Sequence, residues 1–118
     1  MSTAVFPGSF DPVTTGHVDL IRRASRMFDR LVVGVLVNSA KQPLFSKEER
    51  VAMLREITAD QDNIEVSSFE GLLVDFVKEQ HADAIVRGLR TPGDFEYELP
   101  LAQANHKLSV QADTIFLA

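Results

Sequence analysis

The sequence predicts an α/β fold: one parallel sheet of five strands, in the order 3-2-1-4-5, with helices on both faces. Three observations predict it. Short apolar runs alternate with amphipathic stretches along the whole chain, giving β-α-β-α-β-α-β-α-β with short links. In one sheet that alternation requires crossover connections and therefore parallel strands. One run, Leu31 to Val37, is apolar at every position, as a strand covered on both sides must be. The unusual polar residues fall just after strands rather than after helices, at the carboxyl edge where sheets of this class bind ligands. Glycine-bearing polar motifs after the first and fourth strands place those two strands side by side.

Taken in order, Ala4-Val5-Phe6 is a buried strand closed by Pro7-Gly8. From Gly16, Val18, Ile21, Ala24 and Phe28 recur at helical spacing, with Arg22, Arg23 and Arg26 on a solvated face. The second strand is Leu31–Val37, whose β-branched content and seven-residue length favour strand over helix. Ser46-Lys47-Glu48-Glu49 has the form of a capping box, opening a helix with Val51, Leu54 and Ile57 inward. Ile64-Glu65-Val66 is a weaker third strand, and Leu72 to Gln80 a third helix with Leu73, Phe76 and Val77 inward. Ala84-Ile85-Val86 is a fourth strand ending at Gly88, Asp94 to His106 a fourth helix, and Thr114 to Leu117 a fifth strand. Pro100 interrupts the fourth helix. It lacks the N–H that would reach Glu96 and crowds that carbonyl, at a cost of roughly 3 kcal/mol, so a kink displacing Tyr97 and Glu98 is expected.

The 118 residues, 45% of them hydrophobic, suit one domain spanning 1–118. A domain of this size buries roughly two-thirds of its unfolded surface and needs no staples. The absence of cysteine excludes disulfides, thiolate metal sites and a cysteine nucleophile. A net charge of −5 argues against nucleic-acid and anionic-membrane partners, so a phosphate ligand must meet a local cluster of cations. Met1-Ser2-Thr3-Ala4 carries no signal-peptide pattern and the longest apolar run is too short to span a bilayer, which reads as a soluble cytoplasmic protein.

Four stretches reach the ligand edge: Ser9 to His17, Lys41, Glu70-Gly71-Leu72-Leu73, and Arg87-Gly88-Leu89-Arg90. Together they offer three cations and an imidazole. Gly8 lets a ligand approach the backbone and Ser9 supplies a hydroxyl and an amide. Gly16 and His17 open a helix whose free N–H groups and dipole favour a phosphate. His17 can donate from its ring to that phosphate or cap the helix start. Taken singly, Lys41 reads as a solvated lysine, Arg87 and Arg90 as ion-pair partners, Leu73 as core and Glu98 as water-facing. His81 and His106 have no partner at metal-ligand spacing, so no metal site is built from histidine.

Thr14-Thr15-Gly16-His17, behind Gly8-Ser9-Phe10-Asp11-Pro12, resembles the T/H-x-G-H signature of the nucleotidyltransferases, whose domain is Rossmann-like. With Pro7 to Pro12, Arg87-Gly88-Leu89-Arg90 and Asp94-Phe95-Glu96-Tyr97-Glu98, the chain from Val5 to Ala118 is similar to the bacterial phosphopantetheine adenylyltransferases. That resemblance implies transfer of the adenylyl group of ATP to 4′-phosphopantetheine, giving dephospho-coenzyme A and pyrophosphate in coenzyme A biosynthesis. It implies that His17 stabilises the transition state and that Ser9 serves both ligands. Lys41, Leu73 and Arg87 would hold phosphopantetheine. Phe10, His17, Gly88, Leu89, Arg90 and Glu98 would hold ATP, with Mg²⁺ on its phosphates. It further implies a cytoplasmic homohexamer. Such transfer needs no enzyme nucleophile, only positioning and preorganised positive charge, which matches this inventory.

The same resemblance implies a further C-terminal quarter, opening with a serine-rich helix start that binds ATP phosphates. The expectation is thus a C-terminally truncated domain that binds phosphopantetheine, binds ATP weakly and turns over little. Glycerol-phosphate cytidylyltransferases and nicotinamide-nucleotide adenylyltransferases share T/H-x-G-H, but the Arg-Gly-Leu-Arg and Asp-Phe-Glu-Tyr-Glu segments favour phosphopantetheine.

Overall fold

In the computed structural model, residues 2–38, 42–108 and 112–118 are described. Their elements run β1 (Thr3–Gly8), α1 (Thr15–Ser25), β2 (Arg30–Leu36), α2 (Lys47–Ile57), β3 (Ile64–Phe69), α3 (Leu73–Glu79), β4 (Ala84–Gly88), α4 (Pro92–Leu108) and β5 (Asp113–Leu117). All four ladders are parallel and the order is β3-β2-β1-β4-β5, as the alternation of elements requires. The chain moves outward from β1 to β3, then returns over β2 and β1 to start β4 on the other side. The strand order therefore reverses between β1 and β4, and a cleft opens there.

Side chains of each strand alternate between two apolar layers. Ala4, Phe6, Leu31, Val33 and Val35 face α1 and α2, meeting Ile21, Ala24 and Leu54. Val5, Val32 and Ile85 face the other way, onto Phe69, Phe76 and Val77 of β3 and α3. The continuous apolar run of β2 is thus a strand buried on both faces. β3 extends three residues beyond Val66, because Ser67, Ser68 and Phe69 complete the ladder with Gly34, Val35 and Leu36. Serine has little strand preference of its own. A fully paired neighbour supplies what propensity does not.

Gly34, in the middle of β2, lies under the stacked rings of Phe69 and Phe76, whose centroids are 4.5 Å apart. A Cβ there would stand 2.8 Å from Phe76 and 3.2 Å from Phe69. Gly34→Val is therefore expected to overpack this layer and destabilise the fold by about 1–3 kcal/mol, read as a lower urea midpoint at unchanged slope.

α4 begins two residues earlier than its apolar pattern suggests. Thr91 and Asp94 make the reason clear: the Asp94 N–H donates to Thr91 Oγ1 (3.2 Å) and the Thr91 N–H returns to Asp94 Oδ2 (3.2 Å). Pro92 takes the first helical position, where a missing N–H costs nothing. The helix runs on through Pro100 to Leu108, and the displacement of Glu98 expected from a kink is not seen: Glu98 holds Arg87. No residue of α4 is fully buried, and the carbonyl that Pro100 leaves unpaired belongs to exposed Glu96, where water can bond it. Phe95 anchors the helix on β5 by an edge contact with Phe116. Among the described residues no helix is long and apolar enough to cross a membrane.

Candidate active site

Two adjoining cavities, 460 and 380 Å³, lie at the carboxyl ends of β1 and β4. They share Pro7, Gly8, Arg87, Tyr97 and Glu98 as a common wall. The larger is mainly apolar, with Leu36, Phe69, Leu72, Leu73 and Leu101 around it and Ser9 on its rim. The smaller holds His17, Arg90, Phe10 and Gly88. Of the residues singled out in the sequence, Ser9 and Leu73 thus lie on one lobe. Phe10, His17, Gly88 and Arg90 lie on the other, and Arg87 and Glu98 on both. Leu89 borders neither; its N–H is tied to the Leu117 carbonyl at 2.7 Å. Lys41 lies outside the described residues.

His17 is the third residue of α1, and Thr14 is its N-cap. The His17 N–H donates to Thr14 Oγ1 (3.3 Å), and the Thr14 N–H donates to His17 Nδ1 (3.1 Å). This is a reciprocal capping box with histidine in the place usually taken by glutamate or glutamine. Cap and ring donor are therefore compatible roles of one side chain. Nδ1 accepts a hydrogen bond, so the neutral ring carries its proton on Nε2. Phe10 supports the ring edge-on, with centroids 5.1 Å apart. Phe10 itself is buried at a positive φ of 50° and spreads its ring over Gly8, where a Cβ would come within 2.9 Å. Its approach to any ligand is through the backbone.

Burial, and then the neighbouring charge of Arg90, lower the pKa of His17 from its ordinary 6.5. The neutral ring is the folded form at pH 7. Stability contributed by this group is fully present above about 6.5, the unfolded value, and is lost as pH falls through the lowered folded value. Protonation also places a hydrogen on Nδ1 and removes the acceptor of the Thr14 N–H. The pH profile of kcat/KM, which reports the free protein's groups, should therefore be flat above neutrality and fall on the acid side with a midpoint below 6.5. An NMR titration of the His17 ring checks the assignment; a midpoint above 6.5 would contradict it.

Arg90 lies across the first turn of α1: a Cβ on Gly16 would come within 2.7 Å of its Nη2. The glycine of the Thr-x-Gly-His segment therefore makes room for a guanidinium at a helix N-terminus. Two positive features, the arginine and the helix end, there converge with the imidazole. Gly88 has a comparable reason, since a Cβ there would run into Leu20 of α1. Asp94, fixed by the Arg90 and Thr91 N–H groups, holds the backbone that presents Arg90, and those bonds keep its carboxyl below the usual range.

Arg87 forms a bidentate pair with Glu98, Nε to Oε2 at 3.0 Å and Nη2 to Oε1 at 2.8 Å. Its Nη1 donates to the Pro7 carbonyl at 3.0 Å. The Glu98 side chain is only 12% exposed. Glu98 therefore does not face water; it orients Arg87 between the lobes, locking the end of β4 to β1 and α4. Asp11 and Thr14, quoted in the sequence only as motif positions, have structural tasks. Asp11 accepts from the N–H groups of Leu44 (2.8 Å) and Phe45 (2.9 Å), tying the loop after β1 to the loop before α2. No local pattern marks a partner so distant in the chain. Thr14 did leave a signal, a Thr-x-x-His box.

Comparison with known proteins gives the family and the fold. Residues 5–118 match the cytidylyltransferase-like family. The chain is 53% identical over 117 residues to proteins named phosphopantetheine adenylyltransferase from Caldanaerobacter subterraneus subsp. tengcongensis and from Clostridium novyi. In each case the match covers 99% of this chain and 73% of the relative. Among solved structures, the fold is similar to a lipopolysaccharide core biosynthesis protein from Thermoplasma volcanium, with TM-score 0.73, 23% identity, and 100% and 97% of the two chains covered. It is also similar to part of a bifunctional NMN adenylyltransferase/ADP ribose pyrophosphatase from Francisella tularensis, with TM-score 0.71 and 19% identity over 98% and 37% of the chains. At those identities the two structures speak for the fold alone.

Proposed function

The chain belongs to the phosphopantetheine adenylyltransferases, within the cytidylyltransferase-like family, and on that premise we propose that its two-lobed cleft joins ATP to 4′-phosphopantetheine. The observation that carries this reading is the meeting of the lobes at Arg87. The apolar lobe suits the pantetheine arm, with Leu73 along it, Ser9 at its rim and Lys41 as a further contact. The other lobe suits the nucleotide, held by the Phe10 backbone, Gly88 and Arg90, with Glu98 fixing Arg87 at the shared wall; Leu89, outside both cavities, serves only through its place between Gly88 and Arg90. Arg87 then receives the acceptor phosphate where the two meet.

In the reaction a phosphate oxygen of 4′-phosphopantetheine attacks the α-phosphorus of ATP in line. The new P–O bond forms as the bond to the β-phosphate oxygen breaks, giving dephospho-coenzyme A and pyrophosphate. The His17 Nε2–H donates to the α-phosphoryl oxygens as charge builds on them, and Arg90 adds its charge from across α1. No protein group becomes covalently attached. Among the described residues no three His, Asp or Glu side chains gather to hold a metal ion, and both carboxylates at the cleft are engaged. Mg²⁺, implied by the resemblance, would enter on the ATP phosphates with most of its waters and neutralise their charge.

The proposal includes a homo-oligomer, the hexamer of the resemblance, and a cytoplasmic location for a step of coenzyme A biosynthesis. Exposed Leu101 and Leu108 on α4 are apolar surface that a second copy would shield, which sedimentation velocity tests. The activity test is pyrophosphate release from ATP that depends on added 4′-phosphopantetheine. Release with CTP and glycerol phosphate instead would favour a cytidylyltransferase, and no release with either pair together with no calorimetric binding of 4′-phosphopantetheine would overturn the reading.

A further inference from the structure

The mechanism leaves one buried cation without a task. Arg50, in the first turn of α2, is 5% exposed, and among the described residues no carboxylate pairs with it. Its hydrogen bonds go to main-chain carbonyls. Nη1 donates to Ser9 O at 3.0 Å and Leu36 O at 3.2 Å, and Nε reaches Ser46 O at 3.4 Å. A guanidinium removed from water and left without a counter-ion is costly, so hydrophobic packing alone would favour a leucine or methionine here. The choice of acceptors explains the arginine. Ser9 and Leu36 lie at the carboxyl ends of β1 and β2, where the strands part and their carbonyls leave the ladder.

We propose that Arg50 is a positioning residue for adenylyl transfer: it fastens the Ser9 loop to the end of β2 from beneath, and so places the Ser9 hydroxyl and amide for the acceptor. The proposal rests on the functional reading above. Asp11 completes the fastening from the solvent side through the Leu44 and Phe45 amides. The two loops are thus pinned together by one buried cation and one carboxylate. The guanidinium also sets a fixed positive charge behind a loop that receives phosphate, where no reorganisation is needed when the ligand arrives.

The test compares Arg50→Met and Arg50→Lys in the full chain. Methionine keeps the volume and removes all three bonds. Lysine keeps the charge but lacks the fork that reaches two strands at once. For Arg50→Met the KM for 4′-phosphopantetheine is expected to rise about tenfold or more, while the KM for ATP, whose lobe is also lined by His17, Gly88 and Arg90, should rise clearly less. Arg50→Lys should fall between, with a rise of about threefold. Amide hydrogen exchange supplies a readout free of activity: residues 9–11 and 42–46 should exchange at least about tenfold faster, with the centres of β1 and β2 unchanged. Equal shifts in both KM values, or unchanged exchange at those loops in either variant, would reduce Arg50 to a packing residue and overturn the proposal. If Arg50→Met does not fold, Arg50→Lys decides by the same two readouts. If the unsubstituted chain neither releases pyrophosphate nor binds 4′-phosphopantetheine, the functional reading fails, and exchange still decides whether Arg50 holds the loop.

Discussion

His17→Ala is expected to slow adenylyl transfer at least about a hundredfold while leaving the affinity for 4′-phosphopantetheine nearly unchanged. A donor aimed at charge that develops only in the transition state adds little to ground-state binding, and removing one such donor costs on the order of 2.7–4 kcal/mol of barrier. The capping box complicates the experiment in a useful way. Alanine also takes away the acceptor for the Thr14 N–H, which costs about 0.5–2 kcal/mol of stability. His17→Gln separates the two effects, because glutamine is at home at the third position of a capping box and its carbonyl can accept the same bond. The glutamine variant should recover thermal stability and remain slow. Full recovery of turnover in that variant would make His17 a helix cap and nothing more. Loss of affinity with normal turnover in the alanine variant would make it a binding residue.

Arg87→Met carries the second large expectation, a fall in 4′-phosphopantetheine affinity of at least about a hundredfold. Two charge-assisted bonds to the acceptor phosphate, each worth about 1.5–3 kcal/mol, account for a loss of that size. The substitution also strands Glu98, whose side chain is 12% exposed and whose carboxylate is bonded by Arg87. A carboxylate left without its partner in such a place destabilises the fold by itself. The double variant Arg87→Met, Glu98→Gln isolates the binding effect. Neutralising Glu98 should restore most of the stability, read as the melting temperature, and none of the affinity, read by calorimetry. Affinity that returns together with stability would mean that Arg87 is a structural ion-pair partner and that the phosphate is held elsewhere.

The Arg87–Glu98 pair also shows where reasoning from the sequence stops. Taken alone, Arg87 reads as an ion-pair partner and Glu98 as a water-facing helical residue; the first description holds in the fold and the second does not. Nothing local distinguishes Glu98 from other acidic residues of α4, because its burial comes from its place against Arg87 at the end of β4. α4 began at Thr91 and Pro92 rather than at Asp94 because the Thr-x-x-Asp box lay outside the apolar pattern. The Thr14–His17 box was legible in principle. Histidine stands where glutamate or glutamine is usual, so the helix-start cap open to His17 in the sequence becomes a reciprocal box only in the fold.

Short-range rules account for the elements and their order. Alternating apolar runs and amphipathic stretches specify nine elements, and parallel crossovers with polar motifs after the first and fourth strands leave one strand order. The same local chemistry marked the Ser46 cap and the loop ending at Gly16 and His17. Tertiary structure alone decided which of those groups meet. It set Arg90 over Gly16, Glu98 on Arg87, Asp11 on the Leu44 and Phe45 amides, and Arg50 on the carbonyls of Ser9 and Leu36. Asp11 reaches an amide 33 residues away and Arg50 a carbonyl 41 residues away. Such bonds leave no periodicity in the sequence. They exist because buried or crowded polar groups must find partners once the strands have parted, and only the packed chain determines which partners are within reach.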